Sequence, residues 1–369
     1  MAKLLGLSSY AGGVSQHRAR RRRLAMRHAK RPRRVSLLRG FAVALVAVFA
    51  YVSTAMAAAY YTLQGNIESY DISGLVQMPT ARPTHAAAPR PTTPVDENAG
   101  QAVNLLLLGS DARDPANEET GDDWVEGMRN DTTLLMHISA DRTRVDLVSI
   151  PRDSWVTIPE CTFLDGSTSR SQTTKFNAAF AIGGRNNNVG EAAACTITTV
   201  QHLTDIPITG FIVVDFAGFA AMVDALGGVP MDIPNDMSSD DAGLYITAGH
   251  HVLDGETALA FARARKGPGL GDGSDIGRIA RQQQLLAAIY QTAASKNILT
   301  GLVELYAFLD AATQSLAASS NYSSVASLAG LAWSLRSVPP ENIRFYTVPW
   351  TDFDGSSIKW TSAADAMWE

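Results

Sequence analysis

Residues 40–61, GFAVALVAVFAYVSTAMAAAYY, run for 22 residues without a charge, and no other feature limits the fold so strongly. At about 1.5 Å per residue, a helix of that length spans roughly the 30 Å of a bilayer's hydrocarbon. Of the 31 Lys and Arg residues, twelve lie in residues 1–39, which hold no Asp or Glu; all 36 acidic residues lie beyond. Cationic flanks stay on the cytoplasmic side, so the reading is a signal anchor with a cytoplasmic N-terminus and an external remainder. A cleaved signal peptide is the alternative, suggested by the small residues of STAMAAA. Against it, the apolar run is long for a signal core and the basic region is unusually extended. That basic tail could meet anionic lipid or nucleic acid, but its simplest task is to set topology.

Residues 79–100, PTARPTHAAAPRPTTPVDENAG, carry Pro, Thr and Ala without apolar periodicity and read as an extended spacer. The expected organisation is a basic cytoplasmic tail (1–39), a transmembrane helix (40–61), a linker (62–100) and an extracellular domain (101–369). That domain is acidic, which argues against nucleic-acid binding by the globular part. Its two cysteines, Cys161 and Cys195, lie in an oxidising compartment on this reading, which favours a disulfide; two buried free thiols are the alternative. Their spacing carries no metal signature.

Within the domain, AVNLLLLGSD, TTLLMHISA and RVDLVSIPRD read as short apolar strands stopped by turn residues. KFNAAFAIGG and GEAAACTITTVQHLTD suggest helices. GFIVVDFAGFAAMVDALGG passes from a strand into a helix that Gly227 and Gly228 stop. LYITAGHHVLDGETALAFARAR starts as an extended pair around Gly249 and becomes helical at DGETALAFA. From Arg278 to about Leu335 the pattern is mostly helical, and IRFYTVPW is a last strand. The alternation predicts an α/β class: a three-layer α/β/α domain around a central mixed sheet, behind one transmembrane helix. Functional loops are expected beyond strand ends.

Two carboxylates stand at strand edges, Asp111 in GSDAR and Asp131 in RNDTT. Magnesium is often held by one or two carboxylates with phosphate and water, although Asp after Gly-Ser is commonly only a turn residue. Arg152 in SIPRD projects from a strand end. The segment LAFARARKGPGLGDGSDIGRIARQQQLL (259–286) gathers Arg263, Arg265, Arg278 and Arg281. In extended chain Arg263 and Arg265 share a side. Arg278 and Gln282, at i and i+4, share a helical face. Asp275 sits just ahead of that helix, where it can cap and orient an arginine. Glycines at 267, 269, 271 and 273 make a flexible loop that lets the two groups converge. Guanidinium forks match phosphate oxygens, and clustering four of them is costly without an anion. A solvated cluster paired with the domain's acids is the competing reading. The histidines show no HExxH spacing, and neither a Gly-x-Ser-x-Gly elbow nor a Walker loop is present.

Taken in order, NLLLLGSDAR, RNDTTLLMHISADRTRVDLVSIPRD, KFNAAFAIGG, GFIVVDFAGFAAMVDALGGVPMDIP, LDGETALAFARARK and DIGRIARQQQLL resemble the LytR-CpsA-Psr family of cell-wall glycopolymer transferases. The likeness covers roughly residues 103–290 and extends to the topology. It implies a phosphotransferase that moves a glycopolymer from a polyprenyl-pyrophosphate carrier to a peptidoglycan hydroxyl, releasing polyprenyl phosphate. It further implies that Asp111 and Asp131 bind Mg²⁺, with Mn²⁺ as a substitute, and that Arg129 lies beside them. Arg152, Arg263, Arg265, Arg278 and Gln282 would hold pyrophosphate, with Asp275 orienting the arginines. Asn130 stands where the family commonly has Ser, and the insertion DPANEETGDDWVEGM separates the two acids in sequence. No extra C-terminal domain of the kind some relatives carry is expected. Helices from about 281 to 335 are candidates to wall a channel for the lipid tail. A lipid-pyrophosphate hydrolase and a non-catalytic binder of lipid-linked precursors are the competing functions. The Arg- and Ala-rich character suggests a high-GC Gram-positive source, with arabinogalactan, teichoic-type polymer or capsule as candidate cargoes.

Overall fold

The computed structural model describes residues 33–77, 94–110, 128, 130–295 and 302–369. The basic tail up to residue 32, most of the proline-rich segment and nearly all of the insertion fall outside the described residues. The chain forms two compact units, divided between Ala55 and Met56.

The first unit is helical from its first described residue. Helix α1 (Arg33–Asn66) includes a stretch, Leu38–Asn66, long and apolar enough to cross a membrane, an 18-residue window of which has a mean hydropathy of 2.1. Leu45, Val48 and Phe49 are all more than half exposed within this unit's described residues. Lipid is the solvent that such a surface fits.

In the second unit the end of α1 is part of the fold. Leu63 and Ile67 are buried. Gln64 donates to the Ser323 carbonyl (2.9 Å), and Asn66 donates to Asp310 Oδ1 and Thr313 Oγ1 (both 3.1 Å). Strand β1 (Glu68–Tyr70) follows at once and joins the central sheet, and Ile72 and Val76 enter the core. The expectation that residues 62–100 are linker is therefore corrected for 62–77. Three apolar residues spaced over ten positions are too sparse to register as an element until their partners are present.

The central strands are β2 (Val103–Ser110), β3 (Asn130–Ile138) and β4 (Val145–Ile150). A short antiparallel ribbon follows, β5 (Trp155–Ile158) with β6 (Gln172–Lys175), then α2 (Ala178–Gly183) and α3 (Val189–Thr204). Asn188 caps α3, accepting from the Glu191 N–H at 3.0 Å. Strand β7 (Gly210–Asp215) runs into α4 (Phe216–Ala225), where Asp215 caps by accepting from the Gly218 N–H at 2.7 Å. Gly227 and Gly228, at φ 71° and 84°, stop it. Strands β8 (Val229–Ile233), β9 (Met237–Ser239), β10 (Leu244–Ile246) and β11 (Gly249–Leu253) form a side structure. In it β8 pairs with β11 and β9 with β10, so the two extended segments around Gly249 pair with others and not with each other. The chain continues through α5 (Gly255–Arg263), α6 (Asp275–Ser295), α7 (Leu302–Gln314), β12 (Leu316–Ser319) and α8 (Val325–Leu335). It ends with β13 (Ile343–Thr347), the hairpin β14 (Trp350–Asp352) and β15 (Ile358–Trp360), and α9 (Ser362–Trp368).

Among the described residues the main sheet has seven strands in the order β1-β12-β7-β2-β3-β4-β13. It is mixed: β1/β12, β7/β2 and β4/β13 are parallel, and the other pairs antiparallel. Leu106 and Leu108 on β2 face a core shared with α3, whereas Val103 and Leu105 face one that includes Tyr322 and Leu331 of the α8 side. Apolar burial on both faces explains why β2 reads as a continuous leucine run. Strand β12 corrects the helical expectation there. Its sequence, LAAS, has no β-branched residue, but a slot between β1 and β7 overrides local preference.

Cys161 and Cys195 form a disulfide across a sequence separation of 34, packed with Ile158 and Ala179. Closing a loop of that length should contribute about 3–4 kcal/mol. A Cys161→Ala/Cys195→Ala protein is expected to lose that amount in a denaturant titration, with its circular dichroism spectrum unchanged below its melting range.

Candidate active site

Strands β3 and β4 and helices α5 and α6 bring the charged residues together. Asp131 is the second residue of β3, Arg152 follows the end of β4, and Asp275 is the first residue of α6. Arg152 Nη1 donates to Asp131 Oδ1, and the Arg152 backbone N–H donates to Asp275 Oδ2 at 3.2 Å. Arg278, one turn into α6, sends Nη2 to the Asp131 carbonyl (2.8 Å) and to Asp275 Oδ1 (2.5 Å). Its Nη1 lies 3.9 Å from Asp131 Oδ2. Gln282, on the same helical face, donates to Thr132 Oγ1 (3.0 Å) and to the Ala262 carbonyl (3.1 Å). Asp153 accepts from Lys175 Nζ at 2.9 Å and from Arg265 Nη2 at 3.4 Å.

The electrostatics follow from that packing. Burial works against ionisation of Asp131, but Arg152, then Arg278 and Arg263, outweigh it and hold the carboxyl below its ordinary range. Burial prevails at Asp275 and pushes its carboxyl up despite Arg278 and Arg152. Burial also lowers Arg278, partly countered by Asp275, while Arg152 is raised because Asp131 and Asp275 overcome its burial. Both guanidiniums remain cationic. Among the described residues, Arg152, Lys175, Arg263, Arg265 and Arg278 face four carboxylates, Asp131, Asp153, Asp215 and Asp275. The cluster therefore carries excess positive charge. The Nε atoms of Arg152 and Arg278 are buried without a hydrogen-bond partner among these residues. An anion is one partner that such a surplus of donors can take.

Beneath the charges lies an apolar cavity of about 260 Å³. Asp131, Arg263, Arg278 and Gln282 line it together with Phe216, Phe219, Met222, Leu285, Leu286, Ile289 and Phe308. Its walls come from β2, β3, β7 and helices α4 to α7. Arg263 lies over the Phe216 ring, 5.0 Å from its centroid, which places a cation between the polar and apolar parts.

Residues 73–368 match the LytR_cpsA_psr family. The chain belongs to that family. A teichoic acid transferase of Bacillus cereus, named polyisoprenyl-teichoic acid–peptidoglycan teichoic acid transferase TagU, is 33% identical over 56% of this chain and 58% of its own. The cell wall biosynthesis protein LcpA of Corynebacterium glutamicum is 27% identical over 71% of this chain and 52% of its own. The chain thus spans less than two thirds of the length of these relatives. Among solved structures, a LytR-Csp2A-Psr enzyme from Actinomyces oris superposes with a TM-score of 0.55 at 20% identity, covering 82% of this chain and 94% of that one. TagV of B. subtilis gives 0.54 at 23% identity, covering 73% and 94%. At those identities the likeness establishes the fold.

Of the residues singled out in sequence, Asp131, Arg152, Arg263, Asp275, Arg278 and Gln282 converge on this mouth, and Arg265 joins it through Asp153. Asp111 and Arg129 lie outside the described residues. Ser110, which precedes Asp111, is paired with Asn130, which precedes Asp131. Three local expectations change. Arg263 is the last residue of α5, not part of an extended segment, so it and Arg265 serve different partners. Asp275 orients the arginines from inside α6, and the Ser274 hydroxyl caps the helix by accepting from the Gly277 N–H at 3.4 Å. The glycine loop is held, not free: a Cβ at Gly267 or Gly269 would meet the Ser238 or Asp236 carbonyl at about 2 Å, and both have positive φ. Arg281 belongs to that scaffold, donating to the Ala264 and Leu270 carbonyls.

Asp153, Lys175 and Phe216 are site residues that sequence reasoning passed over. Asp153 directly follows Arg152, and Lys175 opens the motif KFNAAF, so adjacency to recognised motifs was the available signal. Divalent metal chemistry is compatible with what is present. Asp131 is a partly exposed carboxylate beside a cationic phosphate-type site, and magnesium needs only one or two such ligands when phosphate supplies the rest. Among the described residues no group of three or more His, Cys, Asp or Glu that could hold a metal ion is found.

Proposed function

We propose that this chain is a phosphotransferase that moves a glycopolymer from a polyprenyl-pyrophosphate carrier to a peptidoglycan hydroxyl. A phosphodiester forms to the acceptor oxygen, and the pyrophosphate bridge breaks to release polyprenyl phosphate. One observation carries the reading: a mouth with surplus guanidinium charge opens onto an apolar cavity of about 260 Å³. An amphiphile with an anionic head and a hydrocarbon tail suits both halves. The names of TagU and LcpA place related proteins in cell-wall polymer transfer and biosynthesis.

In this reading Arg152, Arg263, Arg265 and Arg278 grip pyrophosphate oxygens and offset the charge that shifts to the leaving phosphate. Gln282 positions by hydrogen bond, and Asp275 keeps Arg152 and Arg278 in register. Asp111 and Asp131 would hold Mg²⁺, or Mn²⁺ in its place, which when bound supplies a Lewis acid for the phosphoryl oxygens. Asp131 is a weak general base, because a carboxylate kept below its ordinary range gains little by taking a proton. The apolar helix α1 anchors the enzyme, and the basic tail keeps the N-terminus cytoplasmic with the catalytic unit outside.

The test uses the full chain in detergent with a short polyprenyl-pyrophosphate sugar, Mg²⁺ and peptidoglycan fragments, read by mass spectrometry. A phosphodiester-linked adduct that disappears in Arg152→Ala and Asp131→Ala supports transfer. Polyprenyl phosphate released without an adduct would favour a hydrolase, and retention of lipid without turnover a binding protein.

A further inference from the structure

One buried carboxylate of the site has no part in the transfer described above. Asp153 directly follows Arg152, and its side chain is 9% exposed. Three cations meet its two oxygens. Lys175 Nζ donates to Oδ1 at 2.9 Å, Arg265 Nη2 donates to Oδ2 at 3.4 Å, and Arg152 Nε lies 3.9 Å from Oδ2. The charge of Asp153 is felt beyond these contacts. Burial pushes the Asp275 carboxyl up and Asp153 adds to it; Asp131 and Asp275, then Asp153, raise Arg152 against its burial. The carboxylate is short and its backbone is pinned. The Ile358 N–H donates to the Asp153 carbonyl (3.1 Å), the Asn177 N–H to the Arg152 carbonyl (3.1 Å) and the Phe176 N–H to the Ser154 carbonyl (2.8 Å). Trp360 Nε1 adds a bond to the Ser154 hydroxyl at 3.0 Å. Lys175 and Arg265, in contrast, carry their charges on long side chains, 34% and 33% exposed.

We propose that Asp153 is a positioning residue that serves as a resident counter-anion: it holds Arg152, Lys175 and Arg265 together and competes with pyrophosphate for them. This rests on the reading of the arginine cluster as a pyrophosphate site. Carboxylate and phosphate oxygens are the same kind of partner for guanidinium and ammonium donors, so the two anions share one set of cations. Because the carboxylate is pinned, the long side chains make the exchange. Before pyrophosphate arrives, Asp153 offsets the repulsion among the cations and keeps them clustered. Afterwards the same charge loosens the grip on the substrate and on the departing polyprenyl phosphate alike. Binding that is equal in ground and transition states does not raise turnover, so a looser grip costs little in rate and favours product release.

Full chain in detergent, titrated calorimetrically with inorganic pyrophosphate, tests this with Asp153→Asn, which keeps the shape of the side chain and removes its charge. The variant should bind pyrophosphate about tenfold more tightly than the parent, because an anion beside the ligand's cations is gone. The gain should shrink as salt rises from about 20 to about 300 mM. In the transfer assay KM should fall by a similar factor while kcat stays level or drops. Loss of structural support alone would not produce that split. Removing one partner of a buried ion pair can destabilise a fold, so Lys175→Met supplies a second background, and melting curves identify the folded proteins. Asp153→Asn/Lys175→Met should bind pyrophosphate about tenfold more tightly than Lys175→Met. Unchanged or weaker binding on neutralising Asp153, in either folded pair, would overturn the counter-anion and leave the arginine site standing. Absence of pyrophosphate binding by the parent and by every variant would sink the arginine-site reading itself, and the counter-anion with it.

Discussion

Arg278→Ala is expected to lower transfer by about 10²–10³-fold, as for removal of a preorganised donor from a developing charge. Arg278 is only 4% exposed, touches Asp131 and Asp275 at once, and lines the cavity mouth. Truncation also leaves Asp275 buried without its nearest cation, which should cost about 3–5 kcal/mol of stability. The two effects separate with further variants. Arg278→Ala/Asp275→Asn removes the stranded carboxylate and should recover much of the stability while transfer stays low. Arg278→Lys keeps a charge near Asp275 but loses the fork, so it should fold well and transfer about tenfold more slowly. Turnover assays beside urea melts decide the matter. A folded Arg278→Ala protein that transfers within threefold of the parent would remove the arginine site from the chemistry.

The second large effect concerns the cavity. Leu286→Glu places a carboxylate among Phe219, Met222, Ile289 and Phe308, where it finds no described cationic partner in the apolar part. Burying even ~150 Å² of hydrocarbon there would stabilise a bound lipid by about 4 kcal/mol, nearly three decades in affinity. Affinity of the parent for polyprenyl pyrophosphates should therefore climb with chain length. In Leu286→Glu that climb should flatten and the longest lipid should bind at least ~100-fold more weakly. Geranyl pyrophosphate, held mainly by the arginines, should change little. The same length dependence in both proteins would mean that the tail lies elsewhere.

Much of the site was legible because its residues act through local geometry. Arg278 and Gln282 fall four apart on a helix, so spacing alone put them on one face, whereas the place of Arg152 beside them was implied only by the family resemblance. Arg281 shows the limit. It belongs to the same run, yet its guanidinium closes on the Ala264 and Leu270 carbonyls and shapes the loop. Nothing in the spacing separates it from Arg278. The difference is which carbonyls the folded loop leaves within reach.

The long apolar helix, the mixed α/β class, the disulfide partners and the family were determined by the sequence alone, since apolar periodicity, composition and motif order are properties of the chain itself. Tertiary structure alone decided the rest. Residues 67–77 joined the fold because β12 offered β1 a parallel edge, and LAAS became a strand because it lay between two others. Lys175 and Phe216 became site residues because non-local packing carried them to Asp153 and Arg263. Long-range contacts repay the ordering of such segments only once the whole sheet has formed, and no local pattern records that energy.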